Sequence, residues 1–172
     1  MLSISLTGPE SAGKSTLAAQ LAAHYGTAWV PEFARAYLEQ QGPNYTLADL
    51  DAIARGQLAA EDAAASQATR LLVCDTDLLV LKIWAENAFG TCPAGVLAAL
   101  AQPRYALTLL LAPDLPWAPD PLREHPDPAQ RWHFYNLYRA ELVSRKWPFA
   151  EIGGPPAQRL AQALAAVEAV LS

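Results

Sequence analysis

The chain has 172 residues, of which 52% are hydrophobic and 17% charged, with a net charge of -5. That is enough apolar material for one domain with a substantial core and too much for a disordered chain, while the negative balance argues against a general nucleic-acid surface. The N-terminus lacks the basic region of a signal peptide, and no charge-free run of about 18 apolar residues suggests a membrane span.

The first fifteen residues carry the strongest signal. Leu2-Ser3-Ile4-Ser5-Leu6 is an apolar run that reads as a strand, and it leads into Gly8-Pro9-Glu10-Ser11-Ala12-Gly13-Lys14-Ser15-Thr16. The match to G-x-x-x-x-G-K-[ST], with an Ala/Leu-rich helical stretch from Thr16 to His24 behind it, is that of a phosphate-binding loop. Gly8 and Gly13 permit backbone angles closed to other residues. The amides of the loop and the new helix, Glu10 to Thr16, are expected to face an anion. Lys14 is expected on the β and γ phosphates of a bound triphosphate, and the Ser15 hydroxyl on magnesium.

Thr27 to Val30 reads as a second strand, ending at Pro31-Glu32, with Arg35 one helical turn beyond Glu32. At the carboxyl end of a strand both could face the bound phosphates. A surface ion pair is the equal alternative. Gln41-Gly42-Pro43-Asn44 is a turn by composition, and Thr46 with Asp49 resembles a capping box opening a helix from about Leu47 to Ala68. On that helix Asp51, Arg55, Gln57, Glu61 and Asp62 are expected on a solvated face.

Leu71 to Cys74 is an apolar strand that ends in Asp75-Thr76-Asp77. After a phosphate loop, this is the pattern of a buried parallel strand delivering Asp75 beside the magnesium. Asp77 is either a cap of the helix from Leu78 to Ala88 or a substrate contact. Trp84 on that helix is either core or a stacking platform. A short helix is expected from Cys92-Pro93 to about Ala101, then a central strand from Tyr105 to Ala112. Cys74 and Cys92 have no metal-ligand spacing and are expected as unpaired thiols of a cytoplasmic chain.

From Pro113 to Pro128 the composition changes: Pro116, Pro119, Pro121 and Pro126 lie between them, excluding regular helix or strand. A connection this long suits a lid. Arg123 lies inside it and Arg131 opens the next helix, about Ala129 to Lys146, so either the two serve as lid arginines over a triphosphate or they are incidental surface residues. Phe149 to Ile152 reads as the last strand, and an amphipathic helix from Pro155 to Leu171 closes the chain. Strand and helix alternate throughout, which predicts an α/β fold with a parallel sheet covered on both faces.

These motifs together resemble the ribosylnicotinamide kinase domain of NadR-type proteins, a group of P-loop ATPases. The resemblance rests on the Gly8 to Thr16 loop, Glu32-Phe33-Ala34-Arg35, Asp75-Thr76-Asp77 with Trp84 downstream, and the stretch from Trp117 to Leu122-Arg123, and it runs from about residue 2 to 171. It implies a P-loop NTPase fold with a five-stranded parallel sheet, nucleoside/nucleotide-kinase-like, with residues 1–172 as one domain and 113–131 as its lid. It also implies a small-molecule nucleoside partner: ATP-dependent phosphorylation of the 5'-hydroxyl of nicotinamide riboside to nicotinamide mononucleotide. Lys14, Glu32, Asp77, Arg123 and Arg131 are then the catalytic candidates, Glu32 ahead of Asp77 as the proton acceptor. Arg35 and Trp84 join Glu32 and Asp77 on the acceptor, and Ser15 with Asp75 holds magnesium. Two departures stand out. Bifunctional relatives carry a DNA-binding segment and an adenylyltransferase domain for which this chain has no room, so a standalone kinase is expected. The lid reads Asp120-Pro121-Leu122-Arg123 where the family has glycine in second place, which stiffens it. A regulatory ATPase or GTPase, or a kinase for another nucleoside, are the alternatives.

Overall fold

A computed structural model describes every residue except Pro43 and Thr69. The elements are β1 (Leu2–Thr7), α1 (Lys14–Tyr25), β2 (Trp29–Val30), α2 (Phe33–Gln41), α3 (Leu47–Ala65), β3 (Leu71–Asp75), α4 (Leu78–Phe89), α5 (Ala94–Ala99), β4 (Leu107–Leu111), α6 (Pro128–Arg145), β5 (Phe149–Ile152) and α7 (Pro156–Leu171). The strands form one sheet in the order β2-β3-β1-β4-β5, and every neighbouring pair is parallel. Residues 112–127 contain neither helix nor strand, as their prolines predict. The turn expected at 41–44 includes Pro43, outside the described residues.

The alternation of side chains along each strand divides the core. Ile4, Leu6, Leu71, Val73, Leu109 and Leu111 face α1 and α7, packing on Leu17, Leu21, Ala163 and Val167. On the opposite face Leu110 meets Leu79, Ile83, Tyr138 and Leu142 of α4 and α6, and Leu72 and Cys74 meet the alanines of α3. Because both faces are covered, β3 and β4 are buried over their whole lengths, and this explains their unbroken apolar runs. Among the described residues no helix is long and apolar enough to cross a membrane.

Two local expectations are corrected. The second strand is two residues long rather than four, because Thr27 belongs to the end of α1: its N–H donates to Ala22 O at 3.0 Å, beside left-handed Gly26, a helix-terminating pattern. Gln57 and Glu61 are not solvated; each is 1% exposed. One turn apart on α3, they form a buried polar chain. Gln57 accepts from Phe33 N at 3.0 Å and donates to Glu61 at 3.0 Å. Glu61 in turn accepts from Tyr105 Oη at 2.9 Å and Arg104 Nε at 2.7 Å. Partners distant in sequence satisfy both groups, so burial carries no orphan.

Candidate active site

The carboxyl ends of β1, β2 and β3 open into one cleft of about 270 Å³, where parallel sheets place their ligands. The loop from Gly8 to Ser15 forms its floor. At Gly8 the backbone runs so close to β4 that a Cβ would come within 2.7 Å of Leu111 O. Gly13 takes the left-handed φ of 82° that turns the chain into α1, whose N-terminus has no side-chain cap and no acidic residue in its first turn. The free amides of that turn are therefore available to an anion. Lys14 Nζ donates to Gly8 O at 3.0 Å and Pro9 O at 2.9 Å, so the ammonium lies over the loop.

Asp75 ends β3 beside Leu6 of β1, which sets its carboxylate against the start of α1. Ser15 Oγ donates to Asp75 Oδ2 at 2.5 Å, while Asp75 Oδ1 is buried without a partner among the described residues. Burial raises the Asp75 pKa, and the Ser15 bond opposes that rise. Glu32 is the cap residue between β2 and α2 and borders the same cleft. Burial also raises its pKa, against the pull of Lys14. Arg35 borders the cleft and pairs with Asp120 at 3.1 Å. Asp120 also caps the turn that presents Arg123, accepting from Leu122 N at 3.0 Å.

The far end of the cleft is aromatic. Trp84 and Tyr45 meet edge to face with centroids 4.7 Å apart. The indole Nε1 donates to Tyr45 Oη at 2.8 Å, and that hydroxyl donates to Glu124 at 3.3 Å. Leu38, Phe134 and Tyr138 complete the wall. Tyr45 was missed in the sequence; a tyrosine directly before a capping box is a weak hint, since it places an aromatic ring at a helix entrance.

The loop, Glu32, Arg35, Arg123 and Trp84 thus meet in one cavity, with Asp75 buried directly behind Ser15 and not itself on the cavity wall, but two candidates lie away from it. Asp77 is 2% exposed beneath the sheet. It accepts from Thr7 Oγ1 at 3.1 Å, Ser5 Oγ at 3.3 Å, and the amides of Leu79 and Val80 at 3.0 and 3.3 Å. Its acceptor sites are spent on capping α4, so it is a buried cap and not a cleft group. Arg131 is 3% exposed and lies behind the loop, donating to Ser11 O at 3.0 Å and Leu115 O at 3.1 Å; it is not aimed at a triphosphate. Glu10 borders the cleft but spends its carboxylate on the 113–127 segment. It accepts from Glu124 N at 3.0 Å, from His125 N, and from Trp117 Nε1 at 3.4 Å. Arg159 of α7, not singled out in the sequence, is buried against the loop and donates to Ala12 O at 2.8 Å.

A family profile described as an AAA domain matches residues 3–159. Over 153 residues the chain is 31% identical to the trifunctional NAD biosynthesis/regulator protein NadR of Escherichia coli K12, covering 87% of this chain and 37% of that protein. The Salmonella typhimurium protein of the same description is 31% identical over 155 residues. The chain therefore spans well under half the length of these curated relatives. Among solved structures, NadR in complex with NAD and AMP-PNP superposes with a TM-score of 0.79 at 20% identity, over 99% of this chain and 49% of that one. Deoxyadenosine kinase from M. mycoides with bound dATP gives 0.60 at 14% identity, over 98% and 100%. The fold is that of P-loop kinases, and with the profile spanning most of its length the chain belongs to the AAA-domain family.

Proposed function

We propose that this protein is an ATP-dependent kinase of a small nucleoside, with nicotinamide riboside as the acceptor and its 5'-hydroxyl as the nucleophile. One observation carries the reading: a single cleft joins a phosphate-binding floor to an aromatic pocket, with the Glu32 carboxylate bordering the same space. Phosphoryl transfer asks little covalent work of the protein. It needs phosphates held, charge offset and a hydroxyl aimed in line.

In this reading the loop amides and Lys14 hold the β and γ phosphates, and Arg123 and Arg35 supply charge from the rim. Glu32 orients the acceptor hydroxyl and takes its proton; its raised pKa makes it a better base than an exposed carboxylate. The 113–131 segment serves as the lid. Ser15 and the buried Asp75 Oδ1, unpartnered among the described residues, would hold a magnesium ion, which takes only one or two protein ligands. Bound there, the ion would offset charge on the β and γ oxygens.

The acceptor assignment draws on the NadR relatives and on the pocket's chemistry. The pyridinium ring of nicotinamide riboside is cationic, and the faces of Trp84 and Tyr45 with the Glu124 carboxylate nearby suit a flat cation. Free thiols at Cys74 and Cys92 fit a cytoplasmic enzyme. The test is to incubate the protein with magnesium-ATP and a panel of nucleosides, measuring ADP and each monophosphate. The expected result is ADP formation that depends on nicotinamide riboside, with nicotinamide mononucleotide in equal amount. Equal ADP with and without every nucleoside would overturn the kinase reading, and a strong preference for another nucleoside would overturn the acceptor.

A further inference from the structure

The cleft side of the phosphate loop is built from backbone amides, and an amide is aimed by the carbonyl at its back. In a planar trans peptide the N–H and C=O point in opposite directions. The peptide joining Ser11 to Ala12 has its carbonyl on Arg131 Nη2 at 3.0 Å. The next, joining Ala12 to Gly13, has its carbonyl on Arg159 Nη1 at 2.8 Å. Both guanidinium groups are buried, at 3% and 4% exposure. Neither borders the cleft, whereas Ser11, Ala12 and Gly13 all do. With both carbonyls held to the back, the amides of Ala12 and Gly13 are turned to the front, and two successive inward amides form an anion-binding nest.

We infer that Arg131 and Arg159 are positioning residues of the phosphate loop, presetting the Ala12 and Gly13 amides for a nucleotide phosphate from behind. The inference rests on the kinase reading of the cleft. The two arginines divide the task. Arg159 ties the loop to the sheet: its remaining donors reach Ala112 O at 2.7 Å, Gly154 O at 2.7 Å and the Asp114 carboxylate, which balances its charge. Arg131 ties the loop to the start of the 113–127 segment through Leu115 O. No carboxylate among the described residues bonds to it, and its Nε is buried without a partner. Its positive charge behind the loop therefore adds to the field of the α1 N-terminus, and it is offset when an anion occupies the front. The backbone carries the mark of this clamp. Ser11 holds a left-handed φ of 56° that non-glycine residues avoid. Arg131 fixes its carbonyl, and Ala118 N fixes its hydroxyl at 3.0 Å. A planar fork suits two carbonyls on different segments; a lysine, with a single compact head, reaches one site at a time.

The experiment compares wild type with Arg131→Lys and Arg159→Lys, measuring Kd for ATP, for tripolyphosphate and, by intrinsic tryptophan fluorescence, for nicotinamide riboside. The expected result is a loss of about 10- to 100-fold for ATP and tripolyphosphate alike, the scale of a hydrogen bond to a charged group, with nucleoside affinity unchanged within a factor of about two. ATP and tripolyphosphate affinities matching wild type in folded variants would overturn the inference, and so would equal losses for triphosphate and nucleoside, the sign of general loosening. A second measurement needs no variant. In isotope-labelled wild type, tripolyphosphate should shift the amide protons of Ala12 and Gly13 downfield while the guanidinium protons of Arg131 and Arg159 stay protected from exchange with and without it. Unmoved amides, or guanidinium protection that appears only with ligand, would overturn the presetting. Failure of wild type to bind tripolyphosphate or ATP would instead sink the kinase reading, so the two failures are distinguishable.

Discussion

Glu32 and Asp77 are both carboxylates near the strand ends, and their surroundings give them opposite uses. Glu32 borders the cleft with its pKa raised chiefly by burial. A group that must be ionised to accept a proton gives a rate that rises with pH through its own pKa. The acid limb of kcat/KM should therefore have its midpoint above the ordinary glutamate value of about 4.3. Glu32→Gln should remove that limb and lower kcat by about 10²- to 10³-fold, with ATP affinity little changed. A wild-type limb at or below about pH 4.3, or one that survives in the variant, would take the base role from Glu32.

Asp77 is wholly enclosed, and burial lifts its pKa from the usual 3.8 to about 6 against the hydrogen bonds it accepts. A raised carboxyl pKa favours folding while the proton is held, so its contribution is fully present below pH 3.8 and is lost as pH rises through about 6. Asparagine can accept the same α4 amides and never ionises. Urea titrations of wild type and Asp77→Asn between pH 4.5 and 7.5 should show wild type losing stability relative to the variant as pH rises, on the order of 2 kcal/mol over that range. A difference independent of pH would contradict the buried-ionisation account. Sequence reading left the two carboxylates as rival bases because the spacing Asp75-Thr76-Asp77 says nothing about which side of the sheet each side chain meets. The backbone decides it: Asp75, the last residue of β3, follows the face on which Ser15 waits, whereas continued alternation would put Asp77 on that same face; Thr76, at a left-handed φ of 90°, breaks the alternation and turns Asp77 to the other side to cap α4.

At the scale of elements, α3 fixes the entrance to α2 with two adjacent residues. A Cβ at Gly56 would come within 2.2 Å of the Phe33 ring, so the ring lies directly on the glycine backbone. Next to it the Gln57 side chain accepts from Phe33 N. Together they hold the residue that follows Glu32. Gly56→Ala forces an aromatic ring out of a packed site, and Gln57→Leu leaves a half-buried amide and part of Glu61 unpaired. Each should cost about 1–3 kcal/mol, read as a lower urea midpoint with an unchanged slope. A cost below about 0.5 kcal/mol for both would mean that α3 does not hold this turn. The polar chain was illegible in the sequence because amphipathic patterning assigns polar residues to solvent by default. Its partners, Phe33 on one side and Arg104 and Tyr105 on the other, lie far off in sequence. The phosphate loop, β3 and β4 were legible for the opposite reason: their information is local, a fixed glycine spacing in one case and unbroken apolar runs in the others. Arg159 shares the fate of Gln57, since an arginine on a terminal amphipathic helix carries no sign that its guanidinium reaches a loop at the other end of the chain.

At the scale of the whole molecule, the loop is also where the 113–127 segment is fastened. Glu10 accepts two backbone amides and an indole from that segment, Ser11 accepts a third amide, and Arg131 and Arg159 hold its first residues through Leu115 O and the Asp114 carboxylate. A proline-rich segment without helix or strand has few internal hydrogen bonds, so its order depends on these contacts. Glu10 supplies the most of them from one group, and a carboxylate accepting amide N–H bonds makes stronger bonds than a neutral acceptor. Glu10→Gln is the informative variant because it keeps the shape and loses an acceptor: whichever way the amide is turned, its NH2 faces donors. Limited proteolysis should therefore cut Glu10→Gln within 113–127 several-fold faster than wild type, on the scale of one or two lost charge-assisted bonds, while the sheet and its thermal midpoint are little changed. A saturating triphosphate analogue with acceptor should slow the cut in both proteins, because a ligand that binds only the closed form lowers the open population. Cleavage at the wild-type rate in Glu10→Gln would show that the segment is held without Glu10, and cleavage insensitive to the ligands would show that it does not close over the cleft at all.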